Sequence, residues 1–128
     1  MLRAGILAEI PHGFSTREEP ALDSVLPGAP LILTKQVHSA RALTVIAPWD
    51  GAPPEADALV TDRPGLLIGV VTADCAPVLL ADRKAGVVAA AHAGWRGAVD
   101  GVIENTLAAM AELGARTSRI VAAIGPTI

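Results

Sequence analysis

At 128 residues, 52% of them apolar, the chain is long enough to bury one core. A net charge of -3, with no lysine- or arginine-rich block, argues against nucleic acid or an acidic membrane surface as the main partner. The single cysteine excludes an internal disulfide, and the opening MLRAGILAEI is too short and too interrupted for a signal-peptide core or a membrane span, so a soluble, cytoplasmic protein is expected.

Residues 1–10 read as a first strand, leading through His12-Gly13-Phe14 into a loop. Residues 18–30 carry Pro20, Pro27, Pro30 and Gly28 and read as irregular. Residues 31–37 read as a strand that delivers Gln36-Val37-His38. A strand over 42–47, a Pro/Gly loop over 49–55 and a short strand over 57–61 follow, then a turn at Asp62-Arg63-Pro64-Gly65. Next come two apolar runs, 66–72 and 87–91, read as buried strands and as the partners of a hairpin joined by the polar 81–86. Each run ends in a polar cluster, Thr72-Ala73-Asp74-Cys75 and His92-Ala93-Gly94-Trp95-Arg96-Gly97. Residues 97–115 predict a helix, with Val99, Ile103, Leu107, Met110 and Leu113 on one apolar face and Gly114 as its stop. A last strand over 119–124 leaves an exposed sheet edge, which favours self-association.

Ligands in α/β proteins sit at strand ends, so Cys75 and His92 are expected at one edge of a sheet. Taken alone, Cys75 reads as readily as a small core residue, Asp74 as a turn cap and Arg96 as an ion-pair partner. Taken together with His38, the cysteine and two histidines make a three-ligand set with an open position, the pattern of catalytic zinc. The same residues could instead form a Cys–His nucleophile pair. Gly94, Gly97 and Arg96 at a helix start read as a cradle for an anion such as phosphate. The candidate catalytic residues are therefore Cys75, His92 and Asp74. The candidate phosphate-binding residues are Arg96, Gly94 and Gly97, and the candidate metal ligands are His38, Cys75 and His92.

The words VH at 37–38, TADCAPVLL at 72–80 and AAAHAGWRG at 89–97, with ADALVT at 56–61 and GFSTR at 13–17, resemble the multi-copper polyphenol oxidoreductase (laccase-domain) or purine nucleoside phosphorylase family, also labelled peptidoglycan editing factor. The resemblance implies zinc on His38, Cys75 and His92. It also implies a layered α/β/β/α fold with mixed sheets, related to the cysteine hydrolase domain of cytotoxic necrotizing factors. The implied activities are phosphorolysis of adenosine, inosine and methylthioadenosine, adenosine deamination, and phenol oxidation. Two departures stand out. Arg17 is followed by Glu18-Glu19-Pro20 where the family carries a Gly-Gly pair, and members continue into a second half. The expectation is one domain over residues 1–128, cut short at its C-terminal end.

Counting sharpens the choice of chemistry. Three histidines are too few for multicopper oxidation, although one copper ion would suit imidazole and thiolate. An open zinc site suits deamination directly. Phosphorolysis adds a phosphate, which Arg96 could hold. The expected partners are a purine nucleoside and phosphate. The alternatives are a Cys–His hydrolase acting on an amide such as a peptidoglycan precursor, and an inactive metal-binding remnant.

Overall fold

The computed structural model describes residues 1–15 and 22–126. Thr16 and Arg17 of the GFSTR word, residues 18–21 of the Pro-rich stretch, and Thr127 and Ile128 lie outside the described residues. Seven strands form among those described: β1 (Leu31–Ile32), β2 (Ala42–Thr44), β3 (Ala58–Thr61), β4 (Leu67–Ile68), β5 (Ala76–Asp82), β6 (Val87–Ala93) and β7 (Val121–Ile124). The main sheet has the order β2-β3-β6-β5-β7, and β1 pairs with β4 in a second, two-stranded sheet. The pairs β1–β4 and β2–β3 are parallel and all others antiparallel.

The period of two along the strands builds two cores. Ala58, Val60, Val78, Leu80, Val87, Ala89 and Ala91 face Val102 and Met110 of the helix layer, made of α1 (Trp95–Asp100) and α2 (Val102–Glu112). The alanines of β6 let the helices approach closely. Val102 and Met110 are fully buried, each contributing about 1.5–3 kcal/mol. On the other face Leu59 packs with Ile32 and Val45, flanked by Trp49, Leu66, Ile68 and Val70. Helices, main sheet and small sheet are thus stacked as a mixed α/β fold. Between this second face and the small sheet lies an open apolar cleft of about 1010 Å³, lined among others by Phe14, Leu33, Leu67, Leu79, Val88 and Ala90.

Four sequence expectations are corrected. Residues 1–10 do not form a strand; a 3-10 turn occupies Gly5–Leu7, and only Leu2 bridges to Phe14. The apolar run 66–72 is not a central strand. Only Leu67–Ile68 pairs, and the run is half-buried along the cleft. The hairpin partner of β6 is instead β5, which begins directly after Cys75. The helix over 97–115 starts earlier and is broken at Gly101, whose φ of 98° ends α1 in the left-handed region. α2 buries Val102, Thr106 and Met110, while Val99 of α1 is exposed.

Register sets the functional edge. In the β5–β6 pair Pro77 lies opposite His92, and carried two residues on, the same register sets Cys75 opposite Gly94. In the β3–β6 pair Ala58 lies opposite Ala91, so Asp57 reaches the end of β6 beside His92. The ends of three adjacent strands therefore meet.

Candidate metal centre

Directly opposed residues of an antiparallel pair point to the same face. His92 therefore shares a face with Pro77, and Cys75 lies on that same face two residues before Pro77. The position across from Cys75 is Gly94, where a Cβ would stand 3.1 Å from Cys75 Sγ. A side chain at Gly94 would crowd the thiol; glycine leaves it room. Gly97 does the same for the opposite wall. A Cβ there would stand 3.0 Å from the Ser39 carbonyl oxygen, so the missing side chain lets α1 lie against the loop carrying His38. Asn105 of α2 fastens that loop too, its Nδ2 donating to the Ala40 carbonyl at 2.7 Å.

His38 does not end a strand. It sits in the loop after Lys35, which bridges Glu55, and its φ of 59° is left-handed. That conformation is disfavoured for a residue with a side chain. Asp57 is the cause. Its Oδ1 accepts from the Val37 N–H at 3.0 Å, the Ser39 N–H at 2.9 Å and the Ser39 hydroxyl at 2.8 Å; its Oδ2 accepts from the His38 N–H at 3.1 Å. Three consecutive backbone N–H groups wrap one carboxylate. The same Oδ2 lies 2.6 Å from His92 Nδ1. Asp57 is fully buried. Burial pushes its carboxyl up from the ordinary 3.8, but the bonds from His92, Ser39 and Val37 outweigh that and hold it at about 2.

The result is convergence. One ligand atom each of His38, Cys75 and His92 lies within 4.8 Å of the other two, and the two imidazoles stack with centroids 4.9 Å apart. His92 is buried, Cys75 half-buried and His38 exposed, so the group opens to solvent on one side. Two nitrogens and a thiol sulfur are a donor set that zinc accepts, and together they can hold one metal ion. Gln36 ties the loops together. Its Oε1 accepts from the Val71 N–H at 2.8 Å, and its Nε2 donates to the Val71 carbonyl at 2.6 Å.

The remaining predicted residues lie around this group. Asp74 is exposed on the bend before Cys75, and Arg96 is exposed on α1. Neither joins the His–Cys–His group. His12 is away from it, with Nε2 accepting from the Ala4 N–H and Nδ1 2.7 Å from the Ile10 carbonyl. The apolar cleft reaches Thr72, Ala73 and Pro77, but His38, Cys75 and His92 do not line it. Asp57 is the residue that sequence reasoning missed. Its signal was a lone carboxylate at the head of the apolar ALVT, where burial demands partners.

A mixed sheet with helices on one face and a Cys/His group at its edge defines the structural class, and comparison defines the family. Residues 16–128 match the family described as multi-copper polyphenol oxidoreductase laccase, and the chain belongs to it. A purine nucleoside phosphorylase of Streptomyces coelicolor is 46% identical over 126 residues, which cover 97% of this chain and 52% of that protein. An adenosine deaminase from an unknown prokaryotic organism is 42% identical over 106 residues, 77% of this chain and 40% of that one. Among solved structures, the Neisseria meningitidis protein NMB0706 superposes with a TM-score of 0.69 at 41% identity, and YlmD of Geobacillus stearothermophilus with 0.71 at 34%. These cover 79% and 77% of this chain and 40% of each of theirs. The chain thus spans about half the length of the curated relatives it matches. No helix among the described residues is long and apolar enough to cross a membrane.

Proposed function

We propose that this chain carries the metal centre of a zinc-dependent purine nucleoside phosphorylase with adenosine deaminase activity, acting in the cytoplasm. The observation that carries the proposal is the convergence of His38, Cys75 and His92 at one open edge. The names of the similar proteins supply the substrate class: a purine nucleoside, with phosphate as co-substrate. His38, Cys75 and His92 would hold the ion. When bound, zinc supplies Lewis acidity and lowers the pKa of a coordinated water. Copper suits the same donors, but of the three histidines His12 is engaged elsewhere, and the other two sit in one metal group among the described residues, not a multicopper array.

The other roles follow from exposure and charge. Arg96 is exposed two residues after Gly94, the residue across from Cys75, and its fork suits a phosphate dianion. Gly94 and Gly97 keep the backbone of that turn close to the site. Asp74, exposed beside Cys75, is the carboxylate assigned to proton exchange with substrate. The domain is taken as residues 1–128, continued in the relatives by a further segment.

The test is adenosine with and without phosphate, analysed by chromatography, on zinc-loaded and chelator-treated protein. Adenine that forms only with phosphate marks phosphorolysis; inosine without phosphate marks deamination. Arg96→Ala should lower phosphorolysis about 10–100-fold, the equivalent of one charge-assisted contact of about 1.5–3 kcal/mol, and spare deamination. Equal loss of both reactions would make Arg96 structural. A zinc-loaded chain that does neither is a metal-binding remnant.

A second reading rests on one specific contact. His92 Nδ1 bonded to Asp57, with Cys75 in the same group, is also the order nucleophile, base, orienting carboxylate. It supports a Cys–His hydrolase acting on an amide such as a peptidoglycan precursor. Amide hydrolysis by the metal-free protein, abolished by alkylating Cys75, would favour it over the zinc enzyme.

A further inference from the structure

We infer that Asp57 is the positioning residue that presets both histidines of the metal group, one through its side chain and one through its backbone. The inference rests on the zinc reading above and extends it to a residue outside the His–Cys–His set. An ionised carboxylate only accepts hydrogen bonds. At 2.6 Å from Oδ2, His92 Nδ1 must therefore carry the hydrogen, which leaves Nε2 with its lone pair free. A metal binds imidazole through such a lone pair, so the contact fixes the ligating tautomer and the plane of the ring before any ion arrives. The same carboxylate holds His38 by a different route. The N–H groups of Val37, His38 and Ser39 all donate to it, and the left-handed backbone at His38 accompanies that inward turn of all three. Both histidines are thus referred to one rigid point, itself anchored because the Asp57 carbonyl accepts the His92 N–H at 2.7 Å and its own N–H donates to the Arg41 carbonyl at 3.1 Å.

Asparagine at position 57 is the informative isostere. Its amide offers one oxygen and one NH2, whereas every group facing the carboxylate is a donor. If the oxygen takes the Val37 and Ser39 end, the NH2 confronts His92 Nδ1 and drives the hydrogen to Nε2, where it blocks the metal. If the oxygen takes the His92 end, the NH2 confronts Val37 and Ser39 and the His38 loop loses its cradle. Either orientation disables one histidine.

The experiment measures zinc affinity by competition with a chromogenic chelator, on wild type, Asp57→Asn and Ser39→Ala, each checked for folding by circular dichroism. Asp57→Asn should bind zinc about 10–100-fold more weakly. Ser39→Ala, which leaves His92 and the backbone cradle in place, should lose much less. A folded Asp57→Asn protein with wild-type affinity overturns the role while the zinc reading stands; a wild type with no zinc affinity overturns both. The tautomer is read independently in the metal-free wild type by 15N NMR of the imidazoles. His92 protonated at Nδ1 is expected, and protonation at Nε2 overturns the inference even if the variant does not fold.

Discussion

The two ends of the main sheet solve the same problem with opposite outcomes. Each buries one aspartate, Asp57 at the metal edge and Asp82 at the far end of β5, at 0% and 1% exposure. Each wraps that carboxylate in backbone N–H groups: Val37, His38 and Ser39 for Asp57, and Lys84, Ala85 and Arg116 for Asp82. Each adds one nitrogen-bearing side chain, His92 in the first case, beside the Ser39 hydroxyl, and Arg119, 3.0 Å away, in the second. The difference lies in what the added side chain has left over. A guanidinium has only donors, so the Asp82 end is finished once Arg119 is docked. An imidazole keeps a second nitrogen, so the Asp57 end retains a free lone pair beside a thiol. A carboxylate cradle is thus structural or chemical according to its partner, not its own geometry.

The comparison predicts effects that separate cleanly. The largest belongs to the metal edge: His92→Ala should weaken zinc binding by more than about 100-fold, since a ligand itself is removed. Asp82→Asn should do the reverse, lowering Tm by about 5–10 °C while leaving zinc affinity unchanged. If Asp82→Asn also weakened zinc binding, the two ends would be coupled and the contrast would fail. Acid exposes both ends at once. For Asp82, burial raises the carboxyl, but the bonds from Arg116, Ala85 and Arg119 outweigh it, so it too titrates below its ordinary value. Folded values below the unfolded ones mean that these groups stabilise fully above about pH 4. That stabilisation is lost as pH falls, for Asp57 down through about 2. Thermal melts should be flat from neutral pH to about 5 and fall steeply below 4, with a shallower fall in Asp82→Asn. The smallest pair concerns glycines. Gly97→Ala, crowding the Ser39 carbonyl, should cost about 1–3 kcal/mol and weaken zinc binding. Gly86→Ala, with open space but a φ of 70°, should cost about 1–2 kcal/mol of strain and leave zinc binding alone. Denaturant melts with chelator competition distinguish them.

Much of the metal edge was legible because its words are local. TADC and HAGWRG each carry a ligand at the end of an apolar run, and HAGWRG also carries the glycines that make room, so Cys75 and His92 could be expected at one edge. Asp57 was not legible, because what singles it out is register. Only the pairing of Ala58 with Ala91 brings it beside His92. The strand β5 was obscured by Pro77, which cannot donate to a ladder; here it lies second in its strand, where its carbonyl still accepts from Gly125 N–H at 2.8 Å. The run 66–72 misled for a related reason. Continuous apolar character does not report pairing, and this half-buried stretch lines a cleft instead of lying inside the sheet. The helix was read as unbroken because Gly101 within a periodic pattern does not announce the sign of its φ.

The clamp between Gln36 and Val71 has a consequence for motion. A primary amide presents a carbonyl and an N–H side by side, as a peptide unit does, so the Gln36 side chain pairs with Val71 as a short surrogate strand would. Val71 belongs to no strand, and the residue is 64% exposed. Its amide should nonetheless resist exchange with deuterated water about as well as a ladder amide. Opening the clamp would then release the His38 and Cys75 loops together, as one cooperative unit.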